Sequence, residues 1–279
     1  MTGALTSLLA LAGLLAQAAA PPAVPATDAE RERFLLEADL VRDRAAPGGI
    51  TGSRRVTLRA GGIEQDAHVQ TIDEYKAQHH LRSGMEIDFR DCYRNNLAAY
   101  RLDRLLGLHM VPVTVERTYG RRKASFTWWL DEARMTEGER KQRKLAPPDL
   151  EDWNRQMLAV RAFDQLIYNI DRNLGNLLID GGWRVWMIDH TRAFKIFPKL
   201  ADEKQLPARC ARTLLAGLKG LDEGTLQREM DGVLAPGQVT GLLGRRDAIV
   251  RHCEDAVRAR GEAALYDLPP RLSASPGPR

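Results

Sequence analysis

The stretch Asp171-Arg172-Asn173-Leu174-Gly175-Asn176, followed by a short apolar segment and then by Ile188-Asp189-His190, constrains the fold more than any other part of the chain. The residues 176–180 predict a strand, Gly181-Gly182 predicts a two-residue turn, and 183–188 predict the return strand. With both glycines at the centre of the turn, Asp180 would pair with Trp183, and Asn176 would pair with Met187.

This hairpin predicts a site for a divalent cation. Asp189 lies two residues beyond Met187, so its side chain is expected on the face of Asn176, where diagonal neighbours are roughly 7–8 Å apart. One hard cation could bridge the two, and Asp171 lies just upstream, within reach of a substrate hydroxyl. Such a set can transfer a phosphoryl group from ATP. The alternative is that these residues only form turns, where Asp and Asn are common.

The bulk composition sets limits on the function. The chain has 279 residues, which fits one two-lobed domain or two small ones. Its hydrophobic content of 44% and charged content of 28% are ordinary for a globular protein. The net charge of +4 and the aromatic content of 6%, without aromatic–basic interleaving, favour no nucleic-acid partner.

The N-terminus predicts export. Residues 1–20 have the apolar core and the small-residue site of a signal peptide or leader, and 21–30 would be a linker. The apolar run is too short for a stable membrane span. We therefore expect a periplasmic or envelope location, or a cytoplasmic one if the leader is not functional.

The three cysteines carry no functional signal in the sequence. Cys92, Cys210 and Cys253 lack metal-ligand spacing, and three cysteines cannot all pair. The sequence therefore implies no zinc site and no disulfide framework.

The periodicity predicts an α+β fold with two lobes. The expected helices are 27–44, 91–106, 152–170, 210–218, 222–233 and 238–260, and the expected further strands are 55–59, 63–72, 110–116 and 124–130. A strand-rich N-lobe would cover 31–132, a helical C-lobe would cover 133–265, and 266–279 would be a disordered tail. A nucleotide is expected between the lobes.

The residues also resemble a known superfamily. Asp171-Arg172-x-x-x-Asn176 with Ile188-Asp189 resembles the catalytic loop and the metal-binding Asp of atypical kinases. These include the phosphoinositide kinases, the HipA-type bacterial kinases and the secretory-pathway kinases that act on casein-like proteins and on xylose. The segments 98–107, 163–169 and 188–194 are similar to segments of the secretory-pathway group.

The resemblance implies a protein-kinase-like fold that binds ATP with Mg²⁺ or Mn²⁺. It implies that Asp171 is the catalytic residue and that Asn176 and Asp189 bind metal, while Arg172 supports the loop. The residues expected at the nucleotide are Gly48, Gly49 and Gly52 over the phosphates, and Trp128, Trp129 and Leu130 at the hinge near the adenine.

Two positions depart from the pattern of these kinases. The lysine of the third strand is replaced by Gln70, and the glutamate of the following helix is replaced by Asn96. Because both charges are lost together, the two amides can still form a neutral hydrogen-bonded pair at the nucleotide site. Arg54, Arg55 or Lys76 would then have to supply the positive charge of the missing lysine.

Three functions are compatible with these residues. The first is an ATP- and metal-dependent phosphotransferase that acts on a hydroxyl of a protein, lipid or sugar. The second is a pseudokinase, a nucleotide-binding or regulatory module, as the replacement by Gln70 and Asn96 suggests. The third is an envelope structural protein without a ligand, since the periplasm has no ATP pool. The residues do not identify the acceptor or the oligomeric state.

Overall fold

A computed structural model describes residues 24–46, 52–81 and 84–269. The predicted leader, Gly48, Gly49 and the end of the predicted tail lie outside these residues. The helices are α1 (Asp28–Glu37), α2 (Arg94–Leu105), α3 (Glu137–Gln142), α4 (Leu150–Ile167), α5 (Arg212–Gly220), α6 (Glu223–Glu229) and α7 (Pro236–Arg260). The strands are β1 (Asp39–Ala45), β2 (Arg54–Ala60), β3 (Ile63–Gln70), β4 (Asp73–Leu81), β5 (Gly84–Cys92), β6 (Thr114–Tyr119), β7 (Arg122–Trp128), β8 (Ala133–Thr136), β9 (Leu177–Asp180), β10 (Val185–Met187), β11 (Cys210–Ala211) and β12 (Leu265–Tyr266).

The N-lobe is built on an antiparallel sheet of five strands in the order β1-β2-β3-β7-β6. β2 and β3 alternate between apolar and polar residues, as expected for a sheet with one face in the core. On β3, Ala67 and Val69 are buried in the hydrophobic core. Gln70 points the other way and reaches the C-lobe. The strands predicted at 55–59 and 63–72 are therefore confirmed.

The first helix is shorter than predicted. Thr27 caps α1 in a capping box with Glu30, and Phe34 and Leu35 are buried under the sheet. The helix ends at Glu37, and residues 39–45 form the edge strand β1 instead. The prediction of a helix over 27–44 is wrong in its second half, because pairing with β2 overrides the local helical spacing.

The hairpin β4–β5 was not predicted. Its strands pair from Asp73 with Cys92 to Leu81 with Gly84, and most of the described β4 side chains are exposed. The hairpin packs on the chain that follows Asp189, where the backbone N–H of Cys92 donates to the carbonyl of Thr191 at 3.0 Å. Because β4 is polar and exposed, its sequence lacks the apolar alternation that identified the other strands.

The functional hairpin β9–β10 has a different register from the predicted one. Val185 pairs with Ile179, and Met187 pairs with Leu177, so the loop holds three residues and not two. Trp183 occupies its left-handed position with φ 60°. The Asp180 carboxylate sets this loop, because Oδ1 accepts from the backbone N–H groups of Gly182 and Arg184.

The C-lobe is organised around α4 and the long α7. Arg245 of α7 is fully buried, and its guanidinium donates to the carbonyls of Leu166 at 2.7 Å and Lys195 at 3.0 Å, and to that of Phe197. Gly241 allows this approach, because a Cβ there would lie 2.6 Å from the carbonyl oxygen of Ile196. Arg245 thus joins the end of α4 to the segment after Asp189.

The C-lobe contains a disulfide that the sequence did not predict. Cys210 and Cys253 form a disulfide with a Cα–Cα distance of 5.9 Å, and Cys92 is a free thiol. The bond links the start of α5 to α7. The cysteines are 43 residues apart, and only the packing of the C-lobe helices brings them together.

The fold is α+β with two lobes, as predicted. Several boundaries differ from expectation. Helix α1 starts at Asp28, within the predicted linker, and the predicted helical C-lobe begins with a strand, β8. Tyr266 of the predicted tail is buried in β12. Within the described ranges, no helix is long and apolar enough to cross a membrane.

Candidate active site

The loop that carries Asp171 is fixed by an arginine. Tyr168, which follows the end of α4, takes the left-handed conformation, and Arg172 turns back to the Asp164 carboxylate, with N–O distances of 2.9 to 3.2 Å. The same guanidinium donates to the carbonyls of Asn176 at 3.1 Å and Ile188 at 2.8 Å. Arg172 therefore supports the loop and joins it to the segment leading to Asp189.

Asp171 is presented at the surface of this loop. Its backbone N–H donates to Oδ1 of Asn169 at 3.1 Å, and Asn169 in turn donates to Asp164. Its side chain is exposed. Partial desolvation raises the pKa of the Asp171 carboxyl, with a further contribution from the negative charge of Asp189, while Arg192 opposes the shift. A carboxylate with a raised pKa is a better proton acceptor.

A chain of amides connects the two lobes at Asp189. Nδ2 of Asn96 donates to Oε1 of Gln70 at 2.6 Å, and Nε2 of Gln70 donates to Oδ1 of Asp189 at 3.3 Å. Oδ1 of Asn96 accepts from the backbone N–H of His190 at 2.8 Å. Gln70 and Asn96 thus form the neutral pair that their sequence positions suggested, and the pair holds the backbone beside Asp189.

The predicted metal ligands lie at the open end of the β9–β10 hairpin. Asn176 ends a short 3₁₀ turn, Asp189 lies beyond β10 with φ 56°, and the backbone N–H of Ile188 donates to the carbonyl of Asn176 at 3.1 Å. The prediction that Asn176 and Asp189 lie on one face of a regular two-stranded hairpin is wrong, because the register is shifted by one residue and neither residue is in a strand. The two chain segments are nevertheless adjacent.

The donor set fits a hard divalent cation. From the described residues, the exposed Asp189 carboxylate accepts two long hydrogen bonds, both at Oδ1, from Gln70 and Thr191, so lone pairs remain for a metal. Asn176 carries an amide oxygen, a ligand type that Mg²⁺ and Mn²⁺ accept, and its role as a ligand stays a prediction. No group of three or more His, Cys, Asp or Glu side chains among the described residues could hold a metal. Phosphate oxygens would have to complete the coordination.

The residues predicted at the nucleotide occupy different environments. Gly52 has φ 72° beside the start of β2, where the chain enters from β1. The N–H of Trp129 donates to the carbonyl of Asp66, its carbonyl accepts from Gln65, and its indole stacks under Arg55. Leu130 is buried in the core. Their roles, like those of the other predicted site residues, stay predictions.

The three cations proposed to replace the lysine of β3 have other partners. Arg54 pairs with Asp43 at 2.8 Å, and Arg55 pairs with Asp66 at 2.6 Å. Lys76 lies 3.4 Å from Glu74.

Sequence reasoning missed a second charged group beside the site. Glu86 of β5 accepts from Arg192 at 2.7 Å and from Lys195 at 2.5 Å. Although burial acts in the opposite direction, these hydrogen bonds lower the pKa of the Glu86 carboxyl. Asp91 lies nearby, and desolvation raises the pKa of its carboxyl. The group joins residues more than 100 positions apart, so the sequence carries no local signal for it.

Comparison with solved structures agrees with this architecture. A crystal structure of the Golgi casein kinase superimposes with a TM-score of 0.59 at 14% identity, covering 87% of this chain and 80% of that one. The chain has the fold of an atypical kinase. A second structure of the Golgi casein kinase, with Mn and ADP bound, gives a TM-score of 0.57 at 13% identity, with coverages of 88% and 80%. No family model and no curated protein sequence matches the chain.

Proposed function

We propose that the protein is an ATP- and divalent-metal-dependent phosphotransferase that acts on a hydroxyl group. The observation that carries this proposal is the pair of hydrogen bonds from Arg172 to the carbonyls of Asn176 and Ile188, which holds the loop of Asp171 beside the segment of Asp189. The binding of Mn and ADP by a protein of the same fold supports the choice of ligands.

Each residue of the proposed site has its own role in the transfer. Asp171 accepts the proton of the acceptor hydroxyl, and its raised pKa suits that role. Arg172 holds the loop in place through Asp164 and two carbonyls. Asp189 and Asn176 would hold Mg²⁺ or Mn²⁺, which neutralises charge on the nucleotide phosphates. Gln70 and Asn96 orient Asp189 where a charged pair stands in related kinases.

A pseudokinase is the second candidate, and the neutral Gln70–Asn96 pair is the observation that favours it. A regulatory module needs to bind a nucleotide but does not need a cation at this position. The two candidates make different predictions for Asp171, which has no part in holding the two lobes together.

The test is transfer of radiolabelled phosphate from ATP to a panel of protein, sugar and lipid acceptors with Mg²⁺ or Mn²⁺. The phosphotransferase proposal expects label in one acceptor class and its loss in Asp171→Asn. Asp149→Asn, which alters an exposed helix cap of α4, is the matched control and should keep the activity. Metal-dependent nucleotide binding without any transfer, unaffected by Asp171→Asn, would favour the pseudokinase.

We also propose that the protein is exported, with residues 1–20 as the leader; because the periplasm has no ATP pool, export to the periplasm would favour a function other than transfer from ATP. The Cys210–Cys253 disulfide supports this location, because such bonds persist in oxidising compartments. N-terminal sequencing of the mature protein from fractionated cells tests it, and an intact N-terminus in the cytoplasmic fraction would contradict it.

A further inference from the structure

In the part of the N-lobe that the structure describes, the position of the β3 lysine carries no cation. Gln70 is neutral, Arg54 pairs with Asp43 and Arg55 with Asp66, while Lys76 lies 3.4 Å from Glu74 and 5.2 Å from the Phe89 ring centroid. Charge develops on the transferring phosphoryl group, and kinases balance part of it with a lysine or arginine. The missing charge must therefore come from another element.

Arg192 is held rigidly three residues after Asp189. Nδ2 of Asn95 donates to the carbonyls of Thr191 at 2.7 Å and Ala193 at 2.9 Å, which fixes the backbone on both sides of Arg192. The guanidinium lies 4.4 Å from the ring centroid of Phe89, and its NH2 donates to Glu86 at 2.7 Å. A cation fixed in this way loses little further entropy when it binds an anion.

The charge of Arg192 is not needed by Glu86. Lys195, of which only 2% of the side chain is exposed, already donates to the other carboxylate oxygen of Glu86 at 2.5 Å. Glu86, Arg192 and Lys195 together carry one net positive charge, and Arg192 also acts on the nearby carboxyl of Asp91. Nε of Arg192 is buried, and it has no hydrogen-bond partner among the described residues. A buried donor without a partner calls for an explanation, and a bound anion is one.

The surplus charge acts on the catalytic loop. Partial desolvation raises the pKa of Asp171, and Arg192 is the strongest opposing influence on that carboxyl. Arg172, the other cation acting on Asp171, is already committed to Asp164 and to two carbonyls. Of these two cations, Arg192 is therefore the one with an N–H donor, at Nε, that has no partner among the described residues.

We propose that the guanidinium of Arg192 binds the γ-phosphoryl group and replaces the charge of the lysine that is absent from β3. This inference rests on the proposed phosphotransferase function and names the residue that stabilises the group in transit. The acceptor oxygen forms a bond to the γ-phosphorus, and the bond from that phosphorus to the β–γ bridging oxygen breaks. Its electron pair leaves with ADP, and the acceptor proton passes to Asp171.

The test compares ATP with ADP, because only ATP carries the γ-phosphate. Calorimetry with Mn²⁺ would measure both affinities in the wild type, in Arg192→Gln and in the control Arg90→Gln. Arg90 lies on β5, the strand whose Glu86 and Phe89 contact Arg192; it pairs with Asp88 at 2.9 Å, stacks on the Tyr75 ring at 4.6 Å and is 18% exposed, against 22% for Arg192. Melting curves would show that each variant is folded.

Arg192→Gln should weaken ATP binding by about tenfold to a hundredfold, the usual effect of losing a hydrogen-bonded charge, while ADP binding changes less than about threefold. Arg90→Gln should change neither affinity. Arg192→Lys should fall between the wild type and Arg192→Gln, since it keeps the charge but loses the fork of donors. If Arg192→Gln does not fold, the test rests on Arg192→Lys, in which the ratio of ATP affinity to ADP affinity must fall below that of the wild type.

An unchanged ATP-to-ADP ratio in folded Arg192 variants would overturn the inference and leave the proposed function intact. A loss of acceptor affinity with that ratio unchanged would assign Arg192 to an anionic group of the acceptor and would also overturn it. If the wild type binds neither ATP nor ADP with Mn²⁺, the proposed function itself fails. The two failures are therefore distinguishable.

Discussion

Replacing Asn96 by alanine would remove the central member of the contact between the lobes. Asn96 is buried and donates to Gln70 at 2.6 Å, while its Oδ1 accepts the backbone N–H of His190 at 2.8 Å. Each neutral hydrogen bond contributes about 1 kcal/mol net, and a buried orphaned N–H costs about 1–3 kcal/mol. We expect Asn96→Ala to lower the free energy of unfolding by about 2–4 kcal/mol.

The same change should weaken metal–nucleotide binding. Without Asn96, the amide of Gln70 is free to turn away from Asp189, and outer partners of a ligand typically contribute about tenfold to a hundredfold in metal affinity. Urea unfolding gives the stability, and calorimetry with Mn²⁺ and ADP gives the affinity. Asn154→Ala, on the exposed face of α4, is the matched control and should change stability by less than about 0.5 kcal/mol.

The reasoning would be refuted if Asn96→Ala were as stable as the Asn154→Ala control. It would also be refuted if the variant lost stability but bound Mn²⁺ and ADP like the wild type. The first result would mean that the hydrogen bonds of Asn96 contribute nothing to folding. The second would mean that they do not affect metal–nucleotide binding.

Three further predictions concern other parts of the molecule. Desolvation raises the pKa of Asp171, and Arg192 opposes the shift, so transfer should decline as the pH falls through that raised pKa. Arg192→Gln should move the decline to higher pH, and a pH–rate profile without such a movement would contradict this role of Arg192. Reducing the Cys210–Cys253 disulfide, which closes a 43-residue loop, should cost about 4 kcal/mol in urea unfolding, and an unchanged midpoint in reductant would argue against it. Arg245→Met should cost about 3 kcal/mol or more, because it orphans three buried carbonyls, and wild-type stability in the same assay would disprove that role.

The sequence predicted the lobes and the segments of the site because both depend on local patterns. The spacing of Asp171, Asn176 and Asp189 and the helix before them are readable without tertiary information. The replacement by Gln70 and Asn96 was also visible, and the structure places these two amides in direct contact. Alternation in β2 and β3 marked the sheet, since one of its faces is buried.

The remainder depends on contacts that no local pattern encodes. The hairpin register shifted because the Asp180 carboxylate binds two backbone N–H groups of the loop and favours three loop residues over two. The polar hairpin β4–β5 gave no strand signal, so the pairing of Glu86 with Arg192, 106 residues away, could not be foreseen. The disulfide likewise follows from helix packing.

The most direct test of the account is calorimetry of Mn²⁺ with ADP on the wild type and on Asp189→Asn. The account predicts saturable nucleotide binding by the wild type that requires the metal, and a loss of that binding in a folded Asp189→Asn variant, since the amide removes the charge that holds the cation. Nucleotide binding that persists unchanged in Asp189→Asn, or no binding by the folded wild type, would contradict it.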